Sequence, residues 1–274
     1  MHERTGIVEA PGARLFYRVN GSGPVLLIIQ GGDGDADGTK ALAERLIAHY
    51  TVVTYDPRGL SRSVLTAPPS EPWLEKHVDD AHRVLCALND RPALVFGSSR
   101  GALIALALLT RHPGQIHAIV AHEPPASQLL PDEARARMYR NQMEAEAAFK
   151  RGGAGAAMRQ FASFSGVDFS GCEPGVEIPA ASPERIANLT FFLTHDVPAF
   201  HRYQLNIDAL LPLSNRIVPA AGKKSAGRGP HQCARELAAR LHAGLAEFPG
   251  GHSGFLTHPS AFAARLHEVL AAKL

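Results

Sequence analysis

Five residues constrain this chain most: Gly97-Ser98-Ser99-Arg100-Gly101. Before them stands the apolar run ALVF, which reads as a strand. After them comes ALIALALLTRH, which has the length and composition of a buried helix. A G-x-S-x-G pattern at a strand-to-helix junction forces backbone atoms close together, so glycines flank it. The turn holds Ser99 in a strained conformation at the carboxyl end of the strand, with its hydroxyl exposed. The helix that follows aims backbone N–H groups and a positive dipole end at whatever Ser99 attacks. A glycine-serine turn without chemical meaning is the bland alternative. A strand before and a helix after argue against it.

The remaining elements alternate in the same way. GIVEAPGARLFYRV reads as a β-hairpin around Pro11-Gly12, and Val25 to Ile29 is an unbroken apolar strand. A helix is expected over 39–50, and TVVTYD is the next strand. LEKHVDDAHRVLCAL is helical, and IHAIVAHE is a strand after the central helix. Alternating strands and helices predict an α/β fold: a mostly parallel sheet with helices on both faces. The rhythm breaks at Pro124-Pro125. From 126 to 208 the pattern is helical and holds no convincing strand. RIVPAAG, HQCARELAARLHA, LAEFPGG and HPSAFAARLHEVLAAKL then restore the alternation. Residues 1–125 and 209–274 are therefore expected to form one core, with 126–208 inserted as a helical cap.

One loop invites a different reading. Asp33, Asp35, Asp37, Gly38 and Glu44 match the spacing of an EF-hand calcium loop. Such a loop needs a helix before it, and what precedes Asp33 is a strand. Lys40 holds a position that usually packs an aliphatic residue, and the chain has no second loop of this kind. The segment is better read as a strand-to-helix turn, with no metal expected.

Bulk properties exclude other classes. The net charge is only +2 and no basic block exists, so nucleic acid is not an implied partner. No apolar run approaches a membrane span, and MHERTGIVEA lacks the apolar core of a signal peptide. Three scattered cysteines, Cys86, Cys172 and Cys233, suit reduced thiols in a cytoplasm.

The elbow, the strand-Gln30-Gly31-Gly32 turn, Tyr55-Asp56-Pro57-Arg58-Gly59-Leu60-Ser61-Arg62-Ser63 and Gly250-Gly251-His252 together resemble the α/β-hydrolase superfamily over nearly the whole chain. The resemblance implies an α/β-hydrolase fold with a Ser-His-acid triad. Ser99 would be the nucleophile. A serine hydroxyl needs a base, and His252 stands where a late-loop histidine should. His258 is its competitor, but it looks more like the opening of the last helix, with Pro259 in the first turn. In most relatives the acid follows the strand after the cap. Here that strand runs into Lys223-Lys224-Ser225, with no acid. The other position known in the superfamily is the end of the strand before the cap, where Glu123 stands. Three arrangements stay open at this level: Glu123 as the acid, Ser225 in its place, or a Ser99–His252 dyad.

The resemblance also implies an oxyanion hole made by the N–H groups of Gly32 and Arg100. Gln30 replaces a usual histidine and would touch substrate. The Arg100 side chain could face the site, where it would suit a substrate carboxylate, or point outward. Asp56 and Arg58 read as structural. In the cap, Phe191 and Phe192 are candidates for a largely apolar substrate pocket above Ser99. The expected activity is hydrolysis of a carboxylic ester, with thioester or amide as variants. The partner would be a small-molecule substrate, with no cofactor and a monomer or homodimer. Carbon–carbon bond hydrolysis and cofactor-free peroxidation or oxygenation use the same triad. A cap-gated ligand receptor is the non-enzyme rival.

Overall fold

The computed structural model describes residues 3–32, 34–71, 73–169, 171–178 and 182–274. Asp33, the first position of the calcium-like spacing, lies outside the described residues.

The sheet starts with the hairpin β1 (Arg4–Ala10) and β2 (Ala13–Gly21). Strands β3 (Val25–Ile29), β4 (Thr51–Tyr55), β5 (Val64–Leu65), β6 (Ala93–Ser98), β7 (Ile116–His122), β8 (Ile217–Gly222) and β9 (Ala246–Phe248) complete it. The order is β1-β2-β4-β3-β6-β7-β8-β9, with β5 paired to β2. From β4 to β9 all pairings are parallel, while β2 pairs antiparallel with its neighbours. Both faces of the central strands are covered, and this is why they read as continuous apolar runs. Leu27, Ile29 and Val95 pack into one core, and Leu26, Ile28 and Phe96 into the other.

Helices α1 (Lys40–Leu46), α2 (Trp73–Leu88) and α3 (Arg100–Arg111) connect the first strands. Between β7 and β8 lie α4 (Asp132–Ser165), α5 (Pro183–Phe191), α6 (Val197–Arg202) and α7 (Ile207–Leu210). A π-helical turn, Phe192–Asp196, joins α5 to α6. Helices α8 (Gly229–Arg240), α9 (Gly254–Thr257) and α10 (Pro259–Ala271) finish the chain. No helix among the described residues is long and apolar enough to cross a membrane.

Two local expectations are corrected. The helix expected over 39–50 closes after Leu46. PDEARARMYRNQMEAEAAFK and GAGAAMRQFASF, which read as separate helical pieces, join in α4, which bends where Gly152 and Gly153 leave helical geometry. Gly152 and Gly153 stand at the junction, so the sequence shows two segments where the chain makes one kinked element.

The Asp35 and Asp37 carboxylates are taken up by protein groups. Asp35 accepts from the N–H groups of Asp37 and Gly38 and from the Ser61 hydroxyl. Asp37 pairs with Arg18 at 2.6 Å and Arg62 at 3.1 Å.

Candidate active site

Parallel strands end on one edge, so loops far apart in sequence converge there. The loops after β3, β6, β7, β8 and β9 carry Gln30 and Gly32, Ser99, Glu123, Ser225 and His252 respectively.

Ser99 sits between β6 and α3 with φ 53° and ψ −120°. That is left-handed space which a non-glycine residue seldom occupies. Its N–H donates to the His122 carbonyl at 2.8 Å, which fastens the elbow to the neighbouring strand. Gly101 is required for close approach: a Cβ there would lie 2.1 Å from the Ile29 carbonyl oxygen. On the facing loop Gly32 has φ +55°, and a Cβ added there would meet nothing within 4 Å. Its backbone conformation, rather than crowding, is what favours glycine.

Glu123 is the second strained position, at φ 50° just before Pro124. Its N–H donates to Ala220 O at 2.9 Å. One carboxylate oxygen accepts the Gly222 N–H at 2.8 Å and the Ser225 hydroxyl. The other faces His252 Nδ1 at 2.6 Å. Burial by itself would raise this carboxyl. The hydrogen bond and charge of His252, joined by His122 and Ser225, outweigh burial and hold it at about 2. Glu123 is therefore ionised at neutral pH. With Nδ1 donating to Glu123, the Nε2 of His252 is left as an acceptor. His252 is also tied to the inserted helices: its N–H donates to Gly166 O at 3.4 Å, and Phe161 packs edge-on to its ring. Ser225, the rival for the acid's place, stands behind Glu123 as its hydrogen-bond donor. His258 bonds to the neighbouring Thr257 hydroxyl and opens α10.

Ser99 and His252 line one cavity of about 560 Å³, together with Gln30, Gly31, Gly32 and Phe192. The Gln30 side chain is buried, and its Nε2 meets no partner among the described residues.

Two expectations about side chains are corrected. Arg100 neither lines the cavity nor points to solvent. Its guanidinium is buried against Asp196 of the π-helical turn and over the Phe192 ring, 5.5 Å from its centroid. The substrate-carboxylate role is thus ruled out for this side chain in this arrangement, while its backbone N–H remains at the start of α3. Asp196 also accepts from Trp73 Nε1 at 2.6 Å and contacts His77 Nε2 at 2.7 Å. Phe191, expected at the substrate, lies off the cavity. It packs on Trp73 and His195, and a Cβ on Gly59 would be 2.3 Å from its ring. Adjacent helical positions face different ways, and only the next residue, Phe192, reaches the cavity wall.

Asp56 and Arg58 are structural, as their context suggests. Asp56 is buried and accepts from Ala36 N–H and from Arg62. Arg58 forms a buried pair with Asp80 at 2.5 Å. The cavity also includes Gln142 on α4 and His201 on α6, which no sequence motif marks.

A family model described as alpha/beta hydrolase fold matches residues 24–166. An uncharacterized hydrolase, YraK, of Bacillus subtilis (strain 168) is 37% identical over 270 residues, 97% of this chain and 95% of that one. A zearalenone hydrolase of Bionectria ochroleuca is 32% identical over 133 residues, 47% of this chain and 50% of its own. Among solved structures, an alpha/beta hydrolase from Sphaerobacter thermophilus DSM 20745 superposes with a TM-score of 0.69. Its identity is 23%, with coverage of 97% of this chain and 100% of that chain. A thermophilic esterase from Thermogutta terrifontis gives a TM-score of 0.73 at 18% identity, with coverage of 98% and 99%. At these identities the structures speak to the fold alone.

Proposed function

The chain belongs to the alpha/beta hydrolase family, and we propose that it is a serine hydrolase that cleaves carboxylic esters through an acyl-enzyme on Ser99. The observation that carries this reading is the buried Glu123–His252 hydrogen bond of 2.6 Å, with His252 and a strained Ser99 lining one cavity. The hydrolase name of the Bacillus subtilis relative agrees with it.

In the proposed mechanism Ser99 Oγ attacks the ester carbonyl carbon while its proton passes to His252 Nε2. Glu123, ionised and anchored by Gly222 N–H and Ser225, holds the imidazole in the required tautomer and stabilises its cationic form. The N–H groups of Gly32 and Arg100 take the oxyanion. The tetrahedral adduct collapses, and His252 returns the proton to the departing alcohol. Water then attacks the acyl-enzyme, giving its proton to His252, and the acid leaves with Ser99 restored.

We further propose that the helices between β7 and β8 act as a cap that sets substrate choice. Met138, Phe161, Phe164, Phe192 and Phe200 of this segment line the cavity, and they suit a largely apolar small molecule. A panel of p-nitrophenyl esters of rising chain length tests the reading. Wild type should turn over several members, and Ser99→Ala should lower turnover by about 10⁴ to 10⁶ while its melting temperature holds. Turnover that survives in Ser99→Ala would overturn it.

A further inference from the structure

The cavity wall contains a polar site that the reaction at Ser99 does not use. Gln142 on α4 is only 7% exposed, yet no hydrogen bond reaches its amide from any described residue. The amide atoms keep some accessible surface at the cavity wall, so solvent or a ligand, rather than protein, supplies their bonds. Glu146 stands one turn further along α4, on the same helical strip. Its Oε1 lies 3.3 Å from Nδ1 of His201, whose imidazole lines the same cavity from α6. Amide and imidazole therefore face the cavity from the helical segment, whereas Ser99 faces it from the sheet.

The chemistry of the pair is specific. Burial pushes His201 down to about 4, so the ring is neutral at pH 7. Nδ1 stands against the Glu146 carboxylate, and in the tautomer that carries its proton there, Nε2 is an acceptor. Gln142 brings one acceptor and two donors. An alcohol or phenol hydroxyl, which donates one bond and accepts others, satisfies both residues. A carboxylate does not: Nε2 offers it no proton, and Glu146 stands close behind with the same charge. Met138, Met158, Phe164 and Phe200 are among the apolar lining residues, and the charged ones include Lys40 and Glu44 of α1 and Glu184 and Arg185 of α5.

We propose that Gln142 and His201 form a distal subsite which binds an uncharged hydroxyl on the substrate, away from the ester cleaved at Ser99. This rests on the reading of Ser99 as the nucleophile. The substrate class narrows to bulky, uncharged, largely apolar esters that carry an alcohol or phenol remote from the scissile bond.

Three p-nitrophenyl 5-phenylpentanoates test it, with hydrogen, hydroxyl or carboxylate at the para position of the distal ring. Each kcat/KM is divided by the same protein's value on p-nitrophenyl acetate, which is too short to reach the subsite. In wild type the hydroxyl ester should exceed the unsubstituted one about tenfold, the scale of one or two neutral hydrogen bonds. The carboxylate ester should fall below both. Gln142→Leu should bring the hydroxyl preference close to unity, and His201→Phe should do the same by an independent route should the first variant fold poorly. No hydroxyl preference in wild type, or a full preference in both variants, overturns the subsite. If wild type hydrolyses acetate but shows no such preference, the subsite alone has failed. If no ester is hydrolysed and Ser99 takes no acyl group, the nucleophile reading has failed as well.

Discussion

Glu123 Oε2 and His252 Nδ1 stand 2.6 Å apart across 129 residues of chain. The acid comes from the end of β7, and the hydroxyl of Ser225, at the end of β8, supports its other oxygen. Glu123→Gln keeps size and most packing but removes the charge that selects the tautomer of His252. Turnover should fall by up to about 10⁴. Ser225→Ala removes one of the two donors to that other oxygen, so its effect should be about tenfold or less, and close to silent in a Glu123→Gln background. Non-additive losses of this kind mark residues acting in one unit. A mild Glu123→Gln beside a severe Ser225→Ala would assign the orienting role to the hydroxyl. Deacylation should be followed separately, because an activated leaving group masks the need for a good base in acylation.

Phe191 and Phe192 should part company when each is replaced by alanine. Phe192 lines the cavity, so its loss should shift chain-length preference more than it shifts turnover of a short acetate. Phe191 packs against Gly59 and Trp73, so its loss should lower the melting temperature and leave chain-length preference in place. A panel of esters and a thermal melt on each variant separate the two outcomes. Equal shifts in preference would place both rings at the substrate.

The Arg100–Asp196 pair joins the nucleophile helix to the π-helical turn. Burial would raise the Asp196 carboxyl, but Arg100 and His77 outweigh it and keep it ionised. Asp196→Asn leaves a buried guanidinium facing a neutral amide, which should cost about 3–5 kcal/mol of stability. Removing the cation as well, Arg100→Met with Asp196→Asn, should recover part of that loss, since no unpaired charge remains buried and the amide oxygen still accepts from Trp73 Nε1. Chemical denaturation of wild type and the two variants gives the comparison, and a double variant less stable than the single would contradict the account.

Acid should weaken the fold in two windows. The His122 ring is buried among Phe96, Phe248 and Phe262, and neither nitrogen has a partner among the described residues. Burial pushes it down to about 4 from its ordinary 6.5, and His201 behaves alike. Between those values the unfolded chain binds the proton and the folded chain does not, so stability falls as pH drops from 6.5 to 4 and then levels. For a ring this buried the loss is up to roughly 3 kcal/mol. Glu123 acts lower. Its depressed value adds stability that is present above its ordinary 4.5 and is lost as pH falls toward 2. Thermal melts from pH 8 to 4 should show a shallower decline for His122→Phe than for wild type. An unchanged slope would remove His122 from the explanation.

Much of this was legible because local pattern decided it. Continuous apolar runs marked strands covered on both faces, and the flanking glycines marked the elbow of Ser99. The missing acid after β8 pointed to Glu123. What stayed hidden depended on contacts distant in sequence. Nothing near Arg100 says that its charge is met by Asp196, 96 positions on. The alternation that sends Phe192 to the cavity and Phe191 to Trp73 is set by how the π-helical turn docks. Gln142 and His201 lie on helices of the inserted segment, where a polar residue reads as solvent-facing until the partner elements are in place. The length of α1 was overestimated because its helical propensity continues past the point where the chain turns into β4.

The most direct test of the account is the mass of the protein caught during turnover. Wild type mixed with excess p-nitrophenyl ester and quenched in acid should carry one acyl group, located by peptide mapping on Ser99. Glu123→Gln should accumulate the same adduct for longer, and Ser99→Ala should carry none. An unmodified wild-type protein that still releases p-nitrophenol, or an acyl group found on Ser98, would contradict it.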